Sequence, residues 1–223
     1  LSATNGTFTG DVGIGTASPS QKLHVAGNVY NTGFVNSAGS GTAGGYQFAD
    51  GNAMIYRATN DLAIKLQGTE TLRIDSTGAV TKPLQPAFLA IASSDQSNIA
   101  VGSSVAVVFG TETFDQNADF TSNTFTAPVT GKYQFNVSVN IRNVDSAADY
   151  YRIRLITSNT TYYDLFDPDF GQDAGYWTMR VCVLADMDAS DTAAINILQG
   201  SGTAQTDISG NAVYTFFSGY LVA

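Results

Sequence analysis

Apolar residues along this chain recur with period two or in short runs, and nowhere with the 3.6-residue spacing of an amphipathic helix. The clearest case is residues 131–141, GKYQFNVSVNI. Tyr133, Phe135, Val137, Val139 and Ile141 fall on one face, and Gln134, Asn136, Ser138 and Asn140 on the other. The same reasoning predicts strands over residues 105–109, 123–125, 150–157, 161–166, 176–184, 193–198 and 213–222. About eight to ten strands at such spacing make a sandwich or jelly roll. In the first part of the chain the predicted strands are shorter, at 22–25, 54–57, 62–66 and 71–74. Small turns punctuate them at Gly44-Gly45, Asp50-Gly51, Gln67-Gly68 and Thr77-Gly78.

The two parts differ in what they can bury. Residues 1–82 are rich in Gly, Ala, Ser, Thr and Asn, and the run 36–45, NSAGSGTAGG, has almost no large side chain. Small β units that cannot bury their own faces stack or wind around identical chains, so this part reads as a Gly-rich interwound β shaft. Residues 83–223, beginning at the Pro83–Pro86 joint, hold nearly all the aromatics and read as a head domain. Its last strand, VYTFFSGYLVA, is apolar on both faces. Val213, Phe217 and Leu221 lie to one side; Tyr214, Phe216 and Tyr220 lie to the other. A sandwich covers one face of a strand. Tyr214, Phe216, Phe217 and Tyr220 are therefore expected at a contact with another subunit.

Composition narrows the function. The formal net charge is −9, almost all the acid is Asp, and no basic cluster exists, which argues against nucleic acid as a partner. No apolar run approaches a membrane span, so no membrane insertion is expected. The lone Cys182 allows no disulfide within the chain. The chain starts at Leu1 and reads as the distal end of a longer protein.

Candidate chemistry is thin. His24 in KLHV has no nucleophile and acid beside it in sequence and reads as a strand position. Cys182, between Val181 and Val183, reads as a small buried hydrophobe. Gly13 and Gly15 are followed by Pro19 rather than by a strand–helix transition, so no dinucleotide fingerprint is read there. The sequons at Asn5, Asn136 and Asn159 are read as chance matches. The segment 164–173, DLFDPDFGQD, carries Asp164, Asp167, Asp169 and Asp173, hard oxygen donors of the kind calcium takes, without EF-hand spacing. No cofactor is expected. A glycosidase needs a rigidly held carboxyl pair. The acids here sit in apparent loops, and the chain reads as a non-enzyme. Tyr162, Tyr163, Phe170, Tyr176 and Trp177 flank the acidic loop. Together with Asp164, Asp167, Asp169 and Asp173 they form the expected receptor-binding surface, with rings to stack on sugars and carboxylates to bond hydroxyls.

Two stretches resemble known families. DVGIGTASPSQKLHVAGNV, residues 11–29, resembles the VGIGT-type element of phage tail-fibre and other virion fibre proteins; residues 60–80, ending in LRIDSTGAV, resemble the strand segment that separates such elements. TFTAPVTGKYQF, residues 124–135, is similar to a strand–turn–strand of the complement-1q-type head, itself close to the tumour necrosis factor fold. Phe125, Pro128, Gly131, Tyr133 and Phe135 match that pattern, as do Phe217, Ser218, Gly219, Tyr220 and Leu221 near the end, and Ala87-Phe88 stands where the first strand starts. The turn 185–191 departs from it. These resemblances imply an all-β homotrimer with a shaft over 1–82 and a ten-strand jelly-roll head over 83–223. The implied role is multivalent attachment of a virion to a host-cell surface glycan or protein, with other virion proteins held through an upstream N-terminal segment. Tail fibre and capsid-surface fibre are equally open at this point. So are a purely structural decoration protein and a bacterial adhesin or lectin-like module.

Overall fold

The computed structural model describes residues 10–29, 45–48 and 52–223. Most of the small-residue run 36–45, and the turns at Gly44-Gly45 and Asp50-Gly51, lie outside the described residues. The chain divides into two compact units, Leu1–Thr69 and Glu70–Ala223.

In the first unit, β1 (Val12–Ile14) and β2 (Leu23–Val25) pair in parallel, Val12 opposite Leu23 and Ile14 opposite Val25. The glycines of GIGT are explained by close backbone approach, within the turn for Gly13 and across to the end of β2 for Gly15. A Cβ on Gly13 would meet the Thr16 carbonyl oxygen at 2.4 Å. Gly15 has φ +74°, and its Cβ would meet the Ala26 oxygen at 2.9 Å. Next come β3 (Gly45–Phe48), β4 (Ala53–Ala58) and β5 (Asp61–Leu66), joined as an antiparallel meander. Among the described residues of this unit, Met54 and Ala63 are the buried apolar side chains, while Ile14, Leu23, Val29, Tyr46, Leu62 and Leu66 are exposed.

The second unit opens with a hairpin of β6 (Thr69–Ile74) and β7 (Val80–Thr81). Its turn is organised by Asp75, whose Oδ1 accepts from the Thr77 amide at 2.8 Å, the Thr77 hydroxyl at 2.6 Å and the Ala79 amide at 3.0 Å.

Eight strands then form a jelly roll. They are β8 (Ala87–Ile91), β12 (Thr124–Thr126), β13 (Gly131–Val144), β14 (Tyr150–Thr157), β15 (Thr161–Phe166), β16 (Ala174–Met187), β17 (Thr192–Gly200) and β19 (Phe216–Leu221). They pair first with last: β8 with β19, β12 with β17, β13 with β16 and β14 with β15, every pair antiparallel. A long hairpin rolled on itself has this nesting. Two sheets result, β8–β19–β13–β16 and β12–β17–β14–β15. The short strands β9 (Ser104–Ala106), β10 (Thr111–Asp115), β11 (Phe120–Thr121) and β18 (Asp207–Ile208) join β17, β8, β12 and β13.

Alternation places the core between the sheets. Tyr133, Phe135, Val137, Val139 and Ile141 of β13 are buried, as are Tyr151, Ile153 and Leu155 of β14 and Ala193, Ile195 and Ile197 of β17. An aromatic cluster fills one end: Phe88 stacks on Phe120 at 4.9 Å and on Phe125 at 5.0 Å, and meets Phe217 edge-on at 4.9 Å. The matched motif residues have local reasons. The Tyr133 hydroxyl donates to the Val129 carbonyl at 2.8 Å, closing the turn before β13. Gly131 leaves room for Leu221 and Ala223.

Several sequence expectations change. Residues 213–215 form a turn rather than the start of the last strand, because Asn211 takes the Tyr214 and Thr215 amides on its carbonyl and the Val213 amide on its side chain. The strand expected at 105–109 is the shorter β9, and β10, β11 and β18 carry no alternation long enough to read. Cys182 is exposed rather than buried, since Val181 and Val183 take the inward positions of β16 and Cys182 the outward one.

Candidate functional site: the outer faces of the head

The outer face of the first sheet is laid out by register. Across β8, β19, β13 and β16 one row reads Ala87, Tyr220, Gln134, Leu184; the next reads Leu89, Ser218, Asn136, Cys182; a third reads Ile91, Phe216, Ser138, Arg180. Phe114 of β10 extends the second row beside Leu89. Arg180, on β16, is the only charged residue in these rows. Tyr220, Leu184 and Phe114 are about half exposed at 48%, 53% and 51%. Charges stand at the two ends as pairs, Lys132 with Asp186 at 2.5 Å and Arg142 with Asp95. The Asp95 carboxyl lies below its ordinary range, held there by the Gly210 amide and then by Arg142, against the opposing effect of burial.

Two polar residues on this face are buried and satisfied. The Ser138 hydroxyl donates to the Tyr214 carbonyl at 2.7 Å, and the Asn140 amide donates to the Thr178 hydroxyl at 2.8 Å. The first fixes the Tyr214 turn against the sheet, and the second ties β13 to β16. A cleft of about 510 Å³ opens there, lined by Asp95, Asn140, Arg142, Tyr176 and Tyr214 among others.

The four residues expected at a subunit contact separate. Tyr214, Phe216 and Tyr220 lie on this outer face. Phe217 is corrected: its ring is fully buried between the sheets, 5.7 Å from Phe135 and 5.9 Å from Phe109. The cause is the two-residue period of β19, which turns neighbouring phenylalanines to opposite sides.

The nine residues expected to bind a receptor do not form one surface. Phe170 and Trp177 stack with Phe166, at 6.1 and 4.7 Å, and Phe166 stacks on buried Tyr151 at 5.3 Å. This column ends the core and borders a cleft of about 400 Å³ shared with Asp173 and Tyr176. Tyr176, one residue before Trp177, lies on the opposite side of β16, opposite Arg142 on the outer face of the first sheet. Tyr163 is exposed on the outer face of the second sheet. Tyr162, half-buried against the core, lines a cleft of about 440 Å³ with Tyr163 and Asp164. The acids engage the backbone: Asp164 accepts from the Arg180 amide at 3.2 Å, Asp167 from the Asp169 amide at 3.1 Å, and Asp173 from the Ser146 amide at 2.9 Å and hydroxyl at 2.8 Å. Among the described residues no group of three or more His, Cys, Asp or Glu is placed to hold a metal ion.

Sequence reasoning missed Asp145. It is 2% exposed, and its carboxylate takes the amides of Ala147 at 2.9 Å, Ala204 at 2.7 Å and Thr203. Burial would raise its pKa, but the Ala204, Ala147 and Thr203 amides outweigh it and hold the group below its ordinary value. It ties the β13–β14 turn to the loop after β17. Nothing in VDSAA or GTAQT signals this, because Thr203 and Ala204 lie far from Asp145 in sequence.

No protein-family model matches the chain, and no curated protein does. Solved structures are similar to it. The globular domain of zebrafish complement 1qA shares 19% identity, with a TM-score of 0.45 over 62% of this chain and 98% of that one. Murine APRIL shares 10%, with a TM-score of 0.47 over 62% of this chain and 99% of that one. The tumour necrosis factor Eiger from S. frugiperda shares 10%, with a TM-score of 0.45 over 62% of this chain and 92% of that one. The jelly-roll architecture stands on the strand order and register of the chain itself.

Proposed function

We propose that this chain is the distal part of a homotrimeric virion fibre, with a β shaft and a non-enzymatic jelly-roll head that attaches the particle to a host-cell surface. The observation that carries the reading is the outer face of the β8–β19–β13–β16 sheet. Its central rows hold Leu89, Ile91, Phe216, Tyr220 and Leu184 among uncharged polar residues, with Arg180 as the one charge. An apolar face of this kind is the hallmark of a protein contact, and packing against identical copies covers it in every subunit at once. The exposed Ile14, Leu23 and Leu66 of the first unit call for the same cover. The VGIGT-type element supports the fibre assignment. Three heads on one axis present their outer loops together, so modest contacts add up to firm attachment.

Immunogold labelling of particles tests the assignment. Label at fibre tips, with purified chain competing for adsorption to host cells, is the expected result. Label spread over a shell without competition contradicts it.

A further inference from the structure

The second sheet, opposite the face assigned above to subunit contact, carries two arginines side by side on its outer surface. Arg152 and Arg154 of β14 are two residues apart and so share a face, roughly 6–7 Å apart along the strand. Neither lies within ion-pair distance of a carboxylate among the described residues, in a chain whose net charge is −9. The Nε atoms of both are shut off from solvent and have no hydrogen-bond partner. Two neighbouring guanidinium groups repel unless something negative lies over them.

The surroundings are built rather than incidental. The Arg152 guanidinium lies 5.6 Å from the centre of the Tyr150 ring and 5.8 Å from that of Tyr163, within cation–π reach of both. Tyr150 can lie where it does because Gly200 faces it across the strand pair; a Cβ there would meet the ring at 2.6 Å. Arg154 donates to the Ser104 hydroxyl, which also accepts from the Asn196 amide at 2.9 Å. Leu165, opposite Arg152, is 47% exposed, and Tyr163 is 61% exposed.

We propose that this Arg152–Arg154 surface is a binding site for an anionic polysaccharide, its carboxylate or sulfate groups held by the two guanidiniums and its sugar rings stacked on Tyr150 and Tyr163. Guanidinium forks match carboxylate and sulfate oxygens in pairs. Tyrosine rings offer flat apolar faces with a polar edge, and Asn196 and Ser104 supply uncharged partners for hydroxyls. The inference deepens the adhesive reading by naming the ligand class, and it depends on that reading.

The test measures binding of the intact chain to oligogalacturonate, which is carboxylated, to a heparin oligosaccharide, which is sulfated, to neutral dextran and to poly-glutamate. Binding to at least one anionic sugar, weakened by added salt and absent for dextran, is expected. Arg152→Gln with Arg154→Gln should weaken it tenfold or more. Tyr163→Ala should weaken it severalfold, and Arg152→Lys should fail to restore full affinity. Particle mass and melting temperature of each variant, unchanged from the parent, separate loss of the site from loss of the fold. Absence of binding to both anionic sugars overturns the site, as does equal binding by the double variant. Poly-glutamate binding as tight as the sugars overturns the ligand class. A monomeric parent that still binds the sugars would instead overturn the fibre reading and leave this site standing.

Discussion

Gly219 of β19 lies directly against the ring of Phe135: a Cβ on the glycine would sit 2.6 Å from that ring and 2.8 Å from the ring of Phe88. The Phe-Ser-Gly sequence near the end of the chain is thereby explained. Phe217 enters the core, Ser218 faces out, and Gly219 makes way for two aromatic rings from neighbouring strands.

Gly219→Ala should therefore cost about 1–3 kcal/mol through overpacking, seen as a lower melting temperature. Gly175→Ala is the matched control. Gly175 has nothing within 4 Å of its Cβ position and no positive φ, so the substitution should be neutral or slightly stabilising. Equal effects at the two positions would contradict the packing account.

Asp145 should make stability depend on acid. Its folded pKa lies below the ordinary value, so its contribution is fully present above the unfolded pKa of about 4 and is lost as pH falls through the lower folded value. Asp145→Asn turns an amide donor toward backbone donors and should destabilise by about 2 kcal/mol at pH 7. The gap between parent and variant, measured by urea melts, should narrow on going to pH 3. A gap independent of pH would show that the charge is not what the three amides hold.

Trp177 is the chain's one tryptophan, so its emission reports on the aromatic column at the end of the core. Phe170→Ala removes the ring 5.4 Å from it and should shift the emission to the red. Asp167→Ala with Asp169→Ala should leave it unchanged, because their recorded contact is local to the loop. A red shift in the acidic pair alone would reverse these roles.

Much of this head could be read from alternation. Tyr133–Ile141 and Tyr150–Thr157 face inward and outward as the period demands, and the β14 and β15 bounds coincide with the expected ones. What alternation does not carry is which of two apolar faces is the inside. Phe216 and Phe217 look alike in sequence, and only the pairing of β19 with both β8 and β13 sends Phe217 to the core. Residues 162–177 divide between two clefts for a related reason. The segment runs up the edge of one sheet and back along the edge of the other, so Tyr162, Tyr163 and Asp164 border one cleft while Phe170, Asp173, Tyr176 and Trp177 border another. Arg152 and Arg154 were invisible as a site because their partners, Tyr150, Tyr163, Ser104 and Gly200, come from three other strands as well as their own.

The central claim is that the outer face of the β8–β19–β13–β16 sheet is covered by identical subunits. Light scattering on the purified chain at micromolar concentration tests it most directly. A mass of three times 23.4 kDa is expected. Tyr220→Asp should reduce it to a folded single chain, since a carboxylate buried at that contact goes unpaired, whereas Phe217→Asp should unfold the head itself. A stable parent monomer of 23.4 kDa, with Tyr220→Asp indistinguishable from it, would contradict the account.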